Sequence, residues 1–148
     1  MKSLFTPALL LSILLGTLGG AFIYTLYYAR GLSYLSDDPK ACINCHVMND
    51  QYNSWSKSTH HAITNCNSCH SPDNKLAKLF VKAINGAAHS YAFTFNQYST
   101  PIKIKNWNAK IVQNACLNCH QTLFETHPKV FDNKIHCIQC HKDIGHGK

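Results

Sequence analysis

No cysteine stands outside a single pattern. All eight cysteines of the 148 residues fall in four Cys-x-x-Cys-His motifs: Cys42–His46, Cys66–His70, Cys116–His120 and Cys137–His141. None is left over, and cysteines three apart rarely bridge each other outside redox motifs, so four local disulfides are a poor account of them. Basic runs are missing too. The formal charge of +7 comes from 14 Lys+Arg against 7 Asp+Glu, yet no stretch of five or more basic residues marks a nucleic-acid tail. Strand signals are sparse, which excludes a β-rich architecture and predicts a mainly α fold. Charge itself is absent between Lys2 and Arg30.

Cys-x-x-Cys-His is the attachment sequence of a c-type haem, in which two thiols become thioethers and the adjacent histidine is delivered to the iron. Zinc held by four thiolates would use the cysteine pairs but leave a histidine after each second cysteine unexplained. The sequence therefore predicts four covalently bound haem c groups, attached through Cys42, Cys45, Cys66, Cys69, Cys116, Cys119, Cys137 and Cys140. Four haems bring roughly eight propionates, which the basic excess can offset. Nucleic acid is not an expected partner. In bacteria this attachment is completed outside the cytoplasmic membrane, so the haem domain is expected on the periplasmic side.

The uncharged stretch, residues 3–29, is 27 residues long. As a helix it reaches roughly 40 Å, enough to cross a hydrocarbon layer of about 30 Å. Tyr24, Tyr27 and Tyr28 cluster at its far end like an interfacial aromatic belt. A cleaved signal peptide would have a shorter apolar region and an Ala-x-Ala-like site. The run continues through Ala21, Phe22 and Ile23, so an uncleaved anchor is expected. Residues 1–30 are read as cytoplasmic N-terminus and transmembrane anchor, and residues 31–148 as a compact tetrahaem domain of short helices and loops wrapped around haems.

Asp38 is a good N-cap and Pro39 suits a first helical position. A short helix from there is expected to carry Cys42 through His46. Leu76, Leu79, Phe80, Ala83, Ile84 and Ala87 recur at helical spacing, with Lys75, Lys78, Lys82 and His89 largely on the other side. This is an amphipathic helix, packing its apolar side on the haems or lying near the membrane with its basic side towards lipid headgroups. Trp107 to Ala115 is expected to be a helix entering the third motif. The motif pairs spanning 42–70 and 116–141 have similar strides, suggesting two di-haem halves.

Each haem iron has two axial positions. His46, His70, His120 and His141 can fill one each, leaving His60, His61, His89, His127, His136 and His146 as candidates for the other. Met48 follows His46 by only two residues, which confines it to the same side of the porphyrin. Either His46 or Met48 binds the first iron on that side, and the residue types do not choose between them. Methionine ligation raises the reduction potential.

The segments LSDDPKACINCHVM, QYNSW, KSTHH, CNSCH, HSYAFT, IVQNACLNCH and CIQCHKDIGHG resemble the NapC/NirT/NrfH family of membrane-anchored multihaem cytochromes, over nearly the whole chain. The resemblance implies menaquinol oxidation and electron delivery to a periplasmic reductase. The branch that serves nitrite reductase fits best, with a pentahaem catalytic subunit as partner in a hetero-oligomer. It implies that Met48 binds the first haem, that His70, His120 and His141 are proximal ligands, and that His60 and His146 are distal ones, His146 for the third haem and His60 for the fourth. The second haem would then take a lysine from the catalytic partner, with His89, His127 and His136 as internal rivals. Lys82 resembles a residue lining the quinol pocket. At position 89, where a carboxylate proton acceptor is sought, the chain has His89, whose unperturbed pKa of about 6.5 suits proton exchange. A chain serving another periplasmic reductase, or a soluble tetrahaem carrier, are the alternatives. Electron flow reversed into quinone is a further one.

Overall fold

The structure, a computed structural model, describes residues 6–125 and 135–147. Lys2 and His127 lie outside them. Two units make up the chain, Met1–Ser36 and Asp37–Lys148. The described residues contain helices and turns and no strand, as the sparse strand signals predict.

The first unit is dominated by α1, Pro7–Tyr28. Pro7 occupies the first turn, where its missing N–H costs nothing, and the Thr6 hydroxyl accepts from Leu9 N–H. The helix has a mean hydropathy of 2.0 and buries none of its length against the rest of the chain. Its 22 residues extend about 33 Å, matching a bilayer core. Its hydroxyls turn back on their own helix. Ser12 donates to the Ala8 carbonyl at 2.9 Å, Thr25 to that of Ala21 at 2.8 Å, and Thr17 to that of Ile13. The Ser12, Thr17 and Thr25 hydroxyls are thus not left to lipid unpaired. Tyr24 and Tyr28 stack at 6.0 Å near the far end. Ala29 closes the helix, Arg30 takes a left-handed conformation, and a 3-10 turn follows over Gly31–Leu35.

The second unit begins at the Asp38 cap, whose carboxylate accepts from Lys40 N–H at 2.9 Å. The helix started there is shorter than the sequence predicts. A 3-10 helix covers Pro39–Asn44, Cys45 breaks it in an extended conformation, and a second 3-10 turn spans His46–Met48. Cys42 and His46 therefore sit on two segments rather than one helix. Then come α2 (Asn49–Ser56), α3 (Cys66–His70), α4 (Lys75–Thr94), α5 (Asn106–Phe124) and α6 (Cys137–Cys140). A capping box between Asn65 and Ser68 starts α3, and Asn74 caps α4 through the N–H groups of Leu76 and Ala77. The helix expected from Trp107 to Ala115 runs on through the third motif.

Among the described residues the buried apolar side chains are only Ala41, Trp55, Val112 and Leu117. The polypeptide holds this unit together largely by polar ties. Gln113 on α5 is fully buried; its amide nitrogen donates to the Ile135 carbonyl at 3.2 Å, and Cys137 N–H donates to its oxygen at 2.8 Å. Asn85 and Asn108 exchange amide hydrogen bonds of 3.2 and 2.9 Å between α4 and α5. Asn118 donates to Asp73 at 3.0 Å. Trp55 donates to the Thr64 hydroxyl at 3.4 Å, and that hydroxyl donates to the His60 carbonyl at 2.8 Å, fixing the turn that carries His60.

Candidate haem-binding site

Three motifs sit on α-helical turns, where residues i, i+3 and i+4 share a face, so both thiols and the histidine point one way. The second motif is α3 itself. The third lies within α5, which departs from helical geometry at His120 (φ −106°, ψ 19°). In the fourth, α6 carries both cysteines and His141 caps it. The first motif, split at Cys45, is the exception. There Met48 N–H donates to the Cys45 carbonyl at 2.9 Å, and Met48 is half-buried while His46 is exposed.

The thiols of successive motifs act on one another. A hydrogen bond with Cys66 pulls Cys42 down to about 7 and drives Cys66 far upward. Burial, then the charge of Cys119, raises Cys69; burial, then Cys137 and Cys69, pushes Cys116 up to about 11. First meets second, second meets third, and third meets fourth. Among the described residues no three His, Cys, Asp or Glu side chains converge as a metal-ion cluster. The cysteines thus meet across motifs and do not gather into the four-thiolate groups zinc would take.

Two histidine pairs lie close to one another. The rings of His60 and His120 lie 6.2 Å apart, and those of His70 and His146 lie 5.9 Å apart. Two imidazoles on opposite sides of one metal, each bonded at about 2 Å, place their ring centres about 6 Å apart. His146 Nδ1 lies 3.2 Å from the Gln51 carbonyl, so Nδ1 carries the proton and Nε2 is left as an electron-pair donor. His60 Nδ1 is likewise engaged, 3.4 Å from the Thr59 hydroxyl. Burial, with the charges of His146 and His89, lowers His70 to about 4, which keeps it neutral as a metal ligand must be. Eight thiols, four adjacent histidines and two such pairs fit haem c.

The resemblance implies His60 for the fourth haem and His146 for the third; in the structure the ring of His60 lies beside that of His120 in the third motif, and the ring of His146 beside that of His70 in the second. Among the described residues no second imidazole pairs with His141. Beside it lies a cleft of about 430 Å³ lined by Lys57, Ser58, Thr59, Cys140, His141, Lys142, Asp143 and Ile144. His136 Nδ1 is buried without a hydrogen-bond partner. His61 packs edge-on against Trp55 at 4.7 Å.

Lys82 lies close enough to Cys42 to help lower its pKa, and its ammonium donates to Asp37 Oδ1 at 3.0 Å. Lys78 reaches Asp37 Oδ2 at 2.5 Å, and the Asn67 amide, inside the second motif, donates to Asp37 at 2.9 Å. Asp37 is thereby held at about 2, first by Lys78 and then by Lys82. His89 follows Lys82 on the same edge of α4, about 10 Å further along the axis. Burial lowers its pKa, Lys105 contributes, and it acts on His70 rather than on the first motif. Sequence reasoning missed Asp37 and Gln113. Their partners lie 22 to 45 residues away, and no local pattern announces them.

The model of the NapC/NirT cytochrome c family, N-terminal region, matches residues 3–148. The chain belongs to that family. As a NapC/NirT cytochrome it binds haem c and is anchored in the membrane, with α1 as the apolar helix able to span it. Cytochrome c-type protein NrfH of Wolinella succinogenes is 40% identical over 142 residues, covering 87% of this chain and 80% of the relative. Cytochrome c nitrite reductase subunit NrfH of Nitratidesulfovibrio vulgaris is 35% identical, covering 98% and 89%. NapC of Escherichia coli is 26% identical over 90% of this chain and 80% of the relative. Among solved structures, the cytochrome c nitrite reductase NrfHA complex bound to the HQNO inhibitor matches with a TM-score of 0.67 and 30% identity, over 93% of this chain and 90% of that one.

Proposed function

We propose that the chain is the quinol-oxidising, membrane-anchored subunit of a cytochrome c nitrite reductase. It takes electrons from menaquinol and delivers them to a pentahaem catalytic subunit that reduces nitrite to ammonia. The observation that carries this is the likeness to the NrfHA complex over 93% of the chain. NapC relatives match at 26%, and no feature of the site favours a different reductase. Residues 1–30 would form the cytoplasmic N-terminus and anchor, and residues 31–148 the periplasmic tetrahaem domain.

When bound, the haems supply one-electron redox centres whose potentials follow axial ligation and burial. The chain's own residues hold and tune them. Cys42 and Cys45, Cys66 and Cys69, Cys116 and Cys119, and Cys137 and Cys140 form the thioethers. Met48, half-buried where His46 is exposed, is the ligand of the first. His70 and His120 would hold the second and third, with His146 and His60 the candidates for their other axial positions. His141 holds the fourth from one side. The resemblance implies a lysine of the catalytic subunit at the second haem; a cleft also lies beside His141 of the fourth motif. The Cys42–His46 end would be the side of electron entry and the Cys137–His141 end the side of exit. Lys82 offers a cation to a quinol oxygen. His89, too far along α4 to share that contact directly, is placed to take a proton onward.

The test is reconstitution of the full haem-loaded chain with its catalytic subunit in vesicles containing menaquinol. Nitrite consumption driven by the quinol, and blocked by HQNO, is expected. Nitrite consumption that persists without the chain refutes the reading, as does a chain that reduces no catalytic subunit. A haem assay on the denatured chain should give four haem c groups.

A further inference from the structure

The orientation of α4 is the reverse of an ordinary surface helix. With 3.6 residues per turn, Lys78, Lys82, Asn85 and His89 fall within about 60° of one another. That polar edge faces the body of the unit. Lys78 and Lys82 bind Asp37, Asn85 exchanges hydrogen bonds with Asn108, and Lys82 and His89 lie beside Cys42 and His70 of the first and second motifs. Four hydrogen bonds therefore fix the rotation of the helix about its axis. The apolar stripe, Leu76, Leu79, Phe80, Ala83, Ile84 and Ala87, lies on roughly the opposite side, away from the motifs. Leu76 is 80% exposed, Phe80 66% and Leu79 53%. Lys78 and Lys82 turn towards Asp37, while Leu76, Leu79 and Phe80 are exposed.

We propose that this stripe is a second membrane contact, lying in the phospholipid interface of the membrane that holds α1. Three observations select lipid as the occupant. Asp37, which ties down the polar edge, follows the last residue of α1 by nine residues, a tether of roughly 30 Å at full extension. The helix has no acidic residue over its 20 positions, so nothing on it repels anionic headgroups. Lys75 is exposed at the margin of the stripe, where a lysine can reach a headgroup while its stem lies on apolar surface. The contact would hold the first motif at a fixed height above the lipid, which suits a site served by a membrane-soluble donor. Only that last point rests on the proposed quinol oxidation.

The test uses the full-length haem-loaded chain in nanodiscs of phosphatidylethanolamine and phosphatidylglycerol. A benzoylphenylalanine photo-crosslinker is placed at position 80, and separately at position 76 in case one variant folds poorly. Position 14 in α1 is the lipid-facing control and Asn53, exposed on α2, the water-facing one. Irradiation is expected to add a phospholipid mass at positions 80, 76 and 14 and not at 53. Crosslinks from 80 and 76 to a second copy, or to added catalytic subunit, overturn the proposal by giving the stripe a protein partner. Lipid adducts at 14 without any at 80 or 76 overturn it by placing the stripe in water. Quinol oxidation is not the readout, so this failure is distinct from failure of the proposed function.

Discussion

The Asp37 carboxylate and the Lys82 ammonium, 45 residues apart in sequence, meet at 3.0 Å. Lys78 shares the carboxylate, so one acid at the head of the second unit orients two successive turns of α4 and presents Lys82 beside the first motif.

Asp37→Asn is expected to raise the KM for menaquinol several-fold with a smaller effect on kcat, four haems remaining bound. Its stability cost is about 1 kcal/mol or less, because Asp37 is 46% exposed and solvent screens the pair. The pH dependence follows from the lowered pKa. The contribution is fully present above the ordinary value of 3.8 and is lost as pH falls through about 2. Thermal unfolding of both proteins between pH 7 and pH 2 should show the difference shrinking only at the acid end. A constant difference would refute the role of the charge.

Met48→Ala should change the spectrum of one haem and sharply reduce quinol-dependent electron entry, leaving the other three haems unaltered. Visible spectra and quinol oxidation rates measure both. Normal oxidation by this variant would return the iron to His46.

The ring pairs predict which substitutions act on the same haem. His60→Met and His120→Met should each raise the potential of one and the same haem, and His146→Met and His70→Met that of another, since methionine ligation raises potentials. Redox titrations resolved by haem would test this. If His60→Met and His141→Met shifted a common haem, the pairing would be wrong.

Gln113→Ala strips partners from Cys137 N–H and the Ile135 carbonyl in a fully buried position. Losing the two hydrogen bonds costs about 0.5–1.5 kcal/mol each, and the cavity left by a fully buried side chain adds to that, so the melting temperature should drop by several degrees. The fourth motif should load haem least efficiently, measured as peptide-resolved haem occupancy by mass spectrometry. A loss spread evenly over all four motifs would count against a local tie.

The sequence by itself determined the chemistry. Cys-x-x-Cys-His is a contiguous code whose meaning lies in five adjacent residues, and an uncharged 27-residue run needs no partner to announce a span. The helix start at Pro39 was legible for the same local reason, with Asp38 capping it from the adjacent position. What joins distant residues was decided by the tertiary structure. The resemblance named His60 and His146, but their nearness to His120 and His70 is visible only in the tertiary structure, where α3 packs against α5 and the Gln51 carbonyl engages His146. The periodicity of α4 marked two faces without saying which one turns inward. Asp37 and Asn108 settled that, because a helix can bury a charged edge where the fold supplies a carboxylate for its lysines and an amide for its asparagine.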